Sequence, residues 1–473
     1  MTGTTGGPLV KGVTRSYIGA MSLLHSLRPG GRHGLSSRET RDPIGLAVAA
    51  VNRLAQSELI DRVGLRRQAE QVVYSTTRHG FRAATAAGRT WTRSGNRTPG
   101  RRPTDAPSSG VFDLTPTEDE AMLVDVTREL AHEVLRPAAA AADGACGPPP
   151  ELLAAAQEIG LPGLGVPEPL GGIMEERSAM AGTLVAEALA HGDMGLAVAT
   201  LAPGAVATAI GLWGTDAQQQ TYLPAFTGSD VPAAALTIAE PTVLFDPFAL
   251  ATTALRDADG FVLDGVKSAV VRGADAELFV VAADLDGTPA LFLVEPGTEG
   301  LRVEADPSMG VRAAGLSRLH LSGVRVGADA LLGDTTGEAY TQCVRLSRLA
   351  WCALAVGTGQ AVLDHVKDYV NERQAFGEPI SHRQSVAFMV ADIAIEVQAM
   401  RLLTWKAASR ATRGEDFARE VGLARQLCTE KGMKIGLDGV QLLGGHGFVK
   451  EHPVERWYRD LRAVGIMEGA VLV

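Results

Sequence analysis

Glu468 is the residue in this chain best suited to moving a proton. It is the only carboxylate after Asp460, and it sits in Ile-Met-Glu-Gly. Apolar surroundings favour proton uptake by a carboxylate and withdraw the water that would compete with a substrate. The plain alternative is a solvated residue near the end of the chain. Arg373 and Phe376 lie in RQAFGEPI, at a break between two helical stretches. An arginine at a helix end offers a fork of donors to a phosphate pair, and a phenyl ring offers a face to a heterocycle. Taken alone, Arg373 reads as a surface charge. Arg348 interrupts a helix that is otherwise apolar through Val344, Leu349, Cys352 and Val356. A snorkelling side chain is its plain reading. Gly444, Gly445 and Gly447 mark a turn. Neither that turn nor Gly357-Thr358-Gly359 follows a strand, so neither is a Rossmann fingerprint. The ten histidines form no His-x-x-x-His or Cys/His cluster, so no metal site is expected. No Ser-His-Asp order or Gly-x-Ser-x-Gly elbow appears.

The rest of the chain has to position these groups. Its 473 residues suffice for two or three domains and a large core. At 46% hydrophobic and 21% charged it has the composition of a globular protein. No apolar run is expected to span a bilayer. Cys146, Cys343, Cys352 and Cys428 are widely spaced, which points to a reducing compartment. A bacterial-type cytoplasm is the expected location, with the mitochondrial matrix as the alternative. The net charge of −10 hides a break. Residues 1–110 carry 17 Lys and Arg against 6 Asp and Glu, and the remainder carries 27 against 48. The start is therefore a separate physical object. Residues 1–43 read as disordered, 44–90 as helical and 92–110 as a linker. A docking extension is favoured for this segment. A transit peptide and a basic arm for nucleic acid or an anionic membrane are the weaker readings, since aromatics to stack on bases are few.

The body begins near residue 112. Thr117 and Glu120 fit a capping box, and the helix that follows is expected to stop at Pro137. Further helices are read at 179–190 and 197–212. Near residue 235 short strands take over, at 252–256, 261–263, 278–283, 290–294, 301–303 and 318–321. Asp-Gly pairs at 259–260, 264–265 and 286–287 suggest antiparallel hairpins. After Gly337 long helices return, with Val386, Met389, Val390, Ile393, Val397, Met400, Leu403 and Ala407 on one face. The predicted class is mostly α, within α+β. A basic extension (1–111) precedes an N-terminal helical domain (112–234), a middle antiparallel β domain (235–335) and a C-terminal four-helix bundle (336–473).

One stretch, QLLGGHGFVKEHPVERWYRDLRAVGIMEGA, residues 441–470, resembles the C-terminal signature of the acyl-CoA dehydrogenases, with Ala470 in place of the usual threonine. Residues 112–470 resemble the family throughout, in helix–GLxG–VPExxGG, GTxxQ…YLP and RxxFGxPI runs. The resemblance implies FAD as cofactor. Arg373, Phe376, Gln384, Gln441, Gly444 and Gly445 would hold it, largely across a subunit boundary, as would Ile238, Ala239, Val270 and Val271 of the β domain. Glu468 would be the base, and Phe245, Arg348 and Gly469 would meet the substrate. An acyl-CoA would become its 2,3-enoyl-CoA, with electrons passing to an electron-transfer flavoprotein. A homodimer or homotetramer is implied, and fatty acid β-oxidation is the implied setting.

The β domain departs from the family. Its TEPGAGSD run is AEPTVLFD here, with Ala239 for the threonine, Thr242 and Leu244 for the glycines and Phe245 for the serine. Its ITNG is Val270-Val271-Arg272-Gly273. Backbone donors there can still serve a flavin, but the side-chain bonds cannot form. Arg345 replaces a residue that is usually acidic or polar. The rival base position holds Ser347, which cannot accept a proton unaided. The family continues beyond the position of Val473, so either the sequence is truncated there or the cofactor cleft is less covered than usual. Two other functions stay open: a DNA-associated flavoprotein on the same fold, and a catalytically weak subunit of a heteromeric dehydrogenase.

Overall fold

Thr117 opens the body as a working helix cap. Its hydroxyl accepts the Glu120 N–H at 3.2 Å, and the Glu120 carboxylate accepts the Thr117 N–H at 3.0 Å. The computed structural model describes residues 116–172 and 177–473. The readings made for residues 1–110 lie outside that range. The capped helix, α1 (Glu118–Leu130), does not stop at Pro137. A π-helical turn at Ala131–Leu135 carries it into α2 (Arg136–Ala145). Proline is tolerated in a first helical turn, and a widened turn takes up the change of register. Then come α3 (Leu152–Glu158), α4 (Ala179–Gly192), α5 (Met194–Trp213) and α6 (Asp216–Tyr222).

Ten strands follow: β1 (Ala234–Thr237), β2 (Thr253–Arg256), β3 (Gly260–Val271), β4 (Leu278–Leu285), β5 (Thr288–Val294), β6 (Leu301–Ala305), β7 (Leu316–Gly327), β8 (Leu331–Leu332), and the short pair β9 (Gln374–Ala375) and β10 (Glu378–Pro379). The main sheet runs β6-β7-β3-β2-β4-β5-β8, with β1 beside β4. Most pairings are antiparallel, but β1 and β2 both run parallel to β4, so the sheet is mixed. Asp286-Gly287 makes the expected hairpin, with both residues at positive φ. Asp264-Gly265 does not turn the chain. It is a bulge within β3, where the register against β7 shifts.

The bundle consists of α7 (Glu338–Glu372), α8 (Gln384–Thr412), α9 (Ala418–Leu443) and the shorter α10 (Val454–Leu461). From Leu349 to Gly359 α7 is buried on every side. Gly357 is there for packing: a Cβ would lie 2.0 Å from the Glu187 carbonyl oxygen of α4. Length and hydropathy alone would let Met194–Trp213 and Glu338–Glu372 cross a membrane, contrary to the sequence reading. Here 78% and 83% of their apolar windows are buried inside the protein. They are core helices.

Candidate active site

Glu468 sits where the bundle, the N-terminal helices and the sheet converge. The segment after α10 runs back along β1. Gly469 bridges Thr237, and the Ala470 N–H bonds the Leu236 carbonyl at 3.1 Å. Gly469 has φ of +79°, and a Cβ there would come within 3.0 Å of the Ile238 side chain. Glycine is thus required beside the base for both backbone and space. From α7, the Ser347 hydroxyl (2.8 Å) and the Trp351 indole N–H (3.0 Å) both donate to the Gly469 carbonyl. Ser347, the rival base position, is therefore a structural tie.

The Glu468 carboxylate is 8% exposed and fully partnered on one oxygen. Oε1 accepts from Arg348 Nε at 3.0 Å, Arg348 Nη2 at 2.8 Å and Arg425 Nη2 at 3.3 Å. Oε2 shares only the Arg348 Nε, at 3.0 Å. Arg425, on α9, also donates to the Met467 carbonyl at 2.7 Å. Burial lowers its pKa, opposed by Glu468. Arg425 was not singled out in the sequence. An arginine between Ala424 and Cys428 on a buried helix face was the one available signal.

The β-domain wall is next to this carboxylate. Lys267 is buried and holds Glu240 at 2.8 Å and the Ile238 carbonyl at 3.2 Å. Burial pulls the Lys267 ammonium down to about 8, against the pull of Glu240. Burial, the largest influence, pushes the Glu240 carboxyl up, but the Lys267 charge and hydrogen bond, with the Thr252 and Ala251 hydrogen bonds, together hold it low. Glu240 also accepts the Ala251 and Thr252 N–H groups at 2.7 and 2.9 Å, closing the base of loop 241–250. Phe245 of that loop packs, half-buried, against the main core. Val270 and Val271 are buried and offer no side-chain donor. The Ala239 carbonyl takes the Ser268 N–H, while the buried Ala239 N–H finds no acceptor among the described residues. An orphaned buried N–H fits a ligand with a carbonyl or ring nitrogen to offer.

The remaining candidates cluster elsewhere. Arg373 caps α7, and Arg348 lies 25 residues earlier on the same helix, roughly 37 Å away along its axis. Phe376 occupies a hairpin turn at φ of +58°, with its ring 95% exposed and the Arg383 guanidinium 5.3 Å from its centroid. Positive φ is costly for a bulky residue and turns up where a side chain must be presented. Gln384 opens α8, and Gln441 lies in the last turn of α9, three residues before Gly444 at φ of +58°. A Cβ on Gly444 or Gly445 would meet nothing within 4 Å, so packing does not demand these glycines. Tyr369 ties the two segments together, donating to the Leu443 carbonyl at 3.4 Å and pairing with His446 Nδ1 at 2.8 Å. Arg373 has no ion-pair partner among the described residues. An unpaired guanidinium, an uncovered ring and an open glycine turn fit the phosphates and rings of a flavin dinucleotide. The structure thus gathers Glu468, Gly469, Arg348, Ile238 and Ala239 at one place. It gathers Arg373, Phe376, Gln384, Gln441, Gly444 and Gly445 at another.

Comparison with known proteins accounts for nearly the whole described body. Residues 117–230 match the acyl-CoA dehydrogenase N-terminal domain, 235–324 the middle domain and 338–471 the C-terminal domain of that family. Short-chain specific acyl-CoA dehydrogenase of Bos taurus is 32% identical over 74% of this chain and 87% of its own length. Cyclohex-1-ene-1-carbonyl-CoA dehydrogenase of Geobacter metallireducens is 32% identical over 75% and 95%. The structure of butyryl-CoA dehydrogenase from Megasphaera elsdenii is similar with a TM-score of 0.70, at 26% identity over 76% and 96% of the two chains.

Proposed function

The chain belongs to the acyl-CoA dehydrogenase family, a family of FAD-dependent oxidoreductases, and from that premise we propose that it desaturates an acyl-CoA thioester between the α and β carbons. FAD, when bound, supplies the two-electron oxidation that no side chain can perform. Glu468 takes the α-proton. The observation that carries this reading is the asymmetry of its carboxylate. Oε1 is filled by three guanidinium N–H groups and Oε2 shares one, so Oε2 is the oxygen left to accept a proton. The same donors fix the direction in which that oxygen points. Removing a general base costs on the order of 10²–10⁴ in rate. Glu468→Gln should keep its flavin and bind acyl-CoA, yet fail to bleach the flavin on stopped-flow mixing. Bleaching at the wild-type rate would remove Glu468 from this role.

Dinucleotide binding needs a second copy in this reading. The Arg373 cluster and the Glu468 cluster stand roughly 37 Å apart along one helix, too far to be the two walls of one cleft in one chain. Outward on α8, Phe388, Ile395 and Leu402 repeat every seven residues and are exposed, which suits packing against another copy. A homodimer or homotetramer is the proposed assembly, with an electron-transfer flavoprotein as the proposed acceptor. The acyl group is proposed to be bulkier than a short straight chain. Phe245 stands where the family has a hydroxyl, and one of the relatives acts on a cyclic acyl group.

A second reading draws on the same carboxylate. A base held by two guanidiniums, beneath a loop without its hydroxyl, also suits a catalytically weak subunit. Mixing the FAD-loaded protein with butyryl-, octanoyl- and 3-phenylpropionyl-CoA separates the two. Bleaching by any of them supports the dehydrogenase, and a loaded protein inert to all supports the weak subunit.

A further inference from the structure

Loop 241–250 carries the AEPTVLFD departure from the family, and its returning limb lies on the partner of the base. Within the loop, the Asp246 carboxylate accepts the Phe248 N–H at 3.0 Å, and the Ala249 N–H bonds the Asp246 carbonyl at 3.0 Å. Its tip, Val243 and Leu244, is exposed. The limb behind the tip is pinned to α7. The buried Tyr340 hydroxyl donates to the Pro247 carbonyl. The Phe248 ring stands edge-on to the Tyr340 ring, 6.2 Å between centroids at 89°. The same ring lies 5.9 Å from the Arg348 guanidinium carbon. Arg348 then chelates Glu468. Four side chains thus form one line, Tyr340–Phe248–Arg348–Glu468, running from the loop to the base.

We infer that Phe248 is a positioning residue for Glu468, acting through the guanidinium of Arg348. The inference rests on the reading of Glu468 as the base. An arginine side chain 28% exposed is free to swing towards water unless something holds its plane. The carboxylate grips one edge of that plane, and the Phe248 ring, itself 47% exposed, stands 5.9 Å from its central carbon. Losing the ring loosens the bidentate contact and leaves Glu468 with the Arg425 bond at 3.3 Å as its steadier partner. The other groups around the carboxylate stay in place. On α7 these are Tyr340, and Ser347 and Trp351 on the Gly469 carbonyl; on α9 there is Arg425; on the sheet there is the Lys267–Glu240 pair. Oε2 keeps its direction only while Arg348 stays. The altered loop therefore sets the aim of the base. Tyr340 secures the ring and is the outer member of the line.

The test uses the full-length, FAD-loaded protein and Phe248→Ala, Phe248→Leu and Phe248→Tyr. Arginine Nε–H groups are followed by ¹⁵N NMR at one pH, and Arg348 is assigned by the signal that Arg348→Lys removes. The Arg348 Nε–H, held by both Glu468 oxygens, should exchange slowly with solvent in the wild type. Phe248→Ala and Phe248→Leu should speed that exchange about threefold, and Phe248→Tyr, which keeps the π face, should leave it at the wild-type rate. The rate of flavin reduction by octanoyl-CoA should fall in step, and by more than the affinity for octanoyl-CoA. The leucine variant keeps apolar volume, so it decides the matter if the alanine variant fails to fold. Wild-type exchange in both Phe248→Leu and Phe248→Ala overturns the inference, as does an equal change in Phe248→Tyr. Octanoyl-CoA leaving the wild-type flavin oxidised counts against the functional reading instead. The Arg348 exchange still judges the contact between ring, guanidinium and carboxylate in that case.

Discussion

The two halves of the proposed site are built in opposite ways. At the Glu468 end almost every polar group is partnered within the chain: Arg348, Arg425, Ser347 and Trp351 converge on two consecutive residues. At the Arg373 end the groups face outward with little to hold. Phe376 is nearly bare, Arg373 has no ion-pair partner among the described residues, and Gly444 and Gly445 border open space. A closed cluster is made to hold an atom in place before a ligand comes. An open one is made to be completed by something else. The difference teaches that one chain carries a closed cluster, at the proposed base, and an open one, at the proposed nucleotide contacts.

This contrast can be broken most forcefully at the buried framework behind the closed end. Arg456 of α10 holds Asp193, the cap of α5, at 2.8 Å with both side chains buried. Arg456→Met strands Asp193 and should cost about 3–5 kcal/mol in chemical denaturation. The open end predicts the reverse pattern. Arg373→Ala should leave unfolding within about 0.5 kcal/mol of wild type. It should weaken FAD binding roughly 10- to 100-fold in flavin titrations, as expected for a lost charge-assisted bond. A destabilised Arg373→Ala protein with normal FAD affinity would erase the distinction.

A third test is the pH dependence of the framework. Asp460 accepts the Val311 N–H at 2.6 Å. Burial, with the charge of Asp193 beside it, pushes its carboxyl up to about 8, from an ordinary value near 3.8. A folded-state value above the unfolded one gives stability that is complete below about pH 4 and is lost as pH rises towards 8. Asp460→Asn keeps the acceptor and drops the titration. Its stability relative to wild type should therefore improve between pH 5 and 6.5 by about 2 kcal/mol, measured by melting temperatures across that window. A constant difference across the window would contradict the assignment. The smallest effect is expected at Phe376. Phe376→Ala should weaken FAD about three- to tenfold, as loss of one stacking face does, with no change in thermal stability of the flavin-free protein.

Much of this organisation was legible in the sequence, and the exceptions have physical causes. The Thr117 box, the helices after residue 179 and the Asp286-Gly287 hairpin declare themselves through local hydrogen bonds and periodicity. The π turn before Pro137 does not, because proline in a helical pattern reads as a stop whether or not the backbone widens to admit it. Asp264-Gly265 reads as a turn for the same local reason, and only its pairing with β7 makes it a bulge. The parallel placement of β1 and β2 beside β4 depends on long-range pairing that no local pattern carries. Glu468 could be picked out because its type is unusual for its setting, and Arg373 through the RxxFGxPI resemblance, since alone it reads as a surface charge. Arg425 and Phe248 could not. Each matters only through what the fold lays against it, a carboxylate 43 residues away for Arg425 and a guanidinium 5.9 Å away for Phe248.

The central claim, that the closed end of one copy works with the open end of another, is tested most directly by complementation. Glu468→Gln and Arg373→Ala chains are co-expressed with different tags, and the doubly tagged hybrid is purified and studied at an FAD concentration that fills the wild type but leaves Arg373→Ala empty, so that each parent alone is inactive. In the exchanged arrangement one of its two sites pairs an intact Glu468 with an intact Arg373 and holds FAD, and the other pairs both lesions and stays empty. Symmetric exchange predicts that the hybrid bleaches its bound flavin with a reactive acyl-CoA at the wild-type rate. A hybrid as inactive as its two parents would mean that both ends serve the same chain, and would contradict the account.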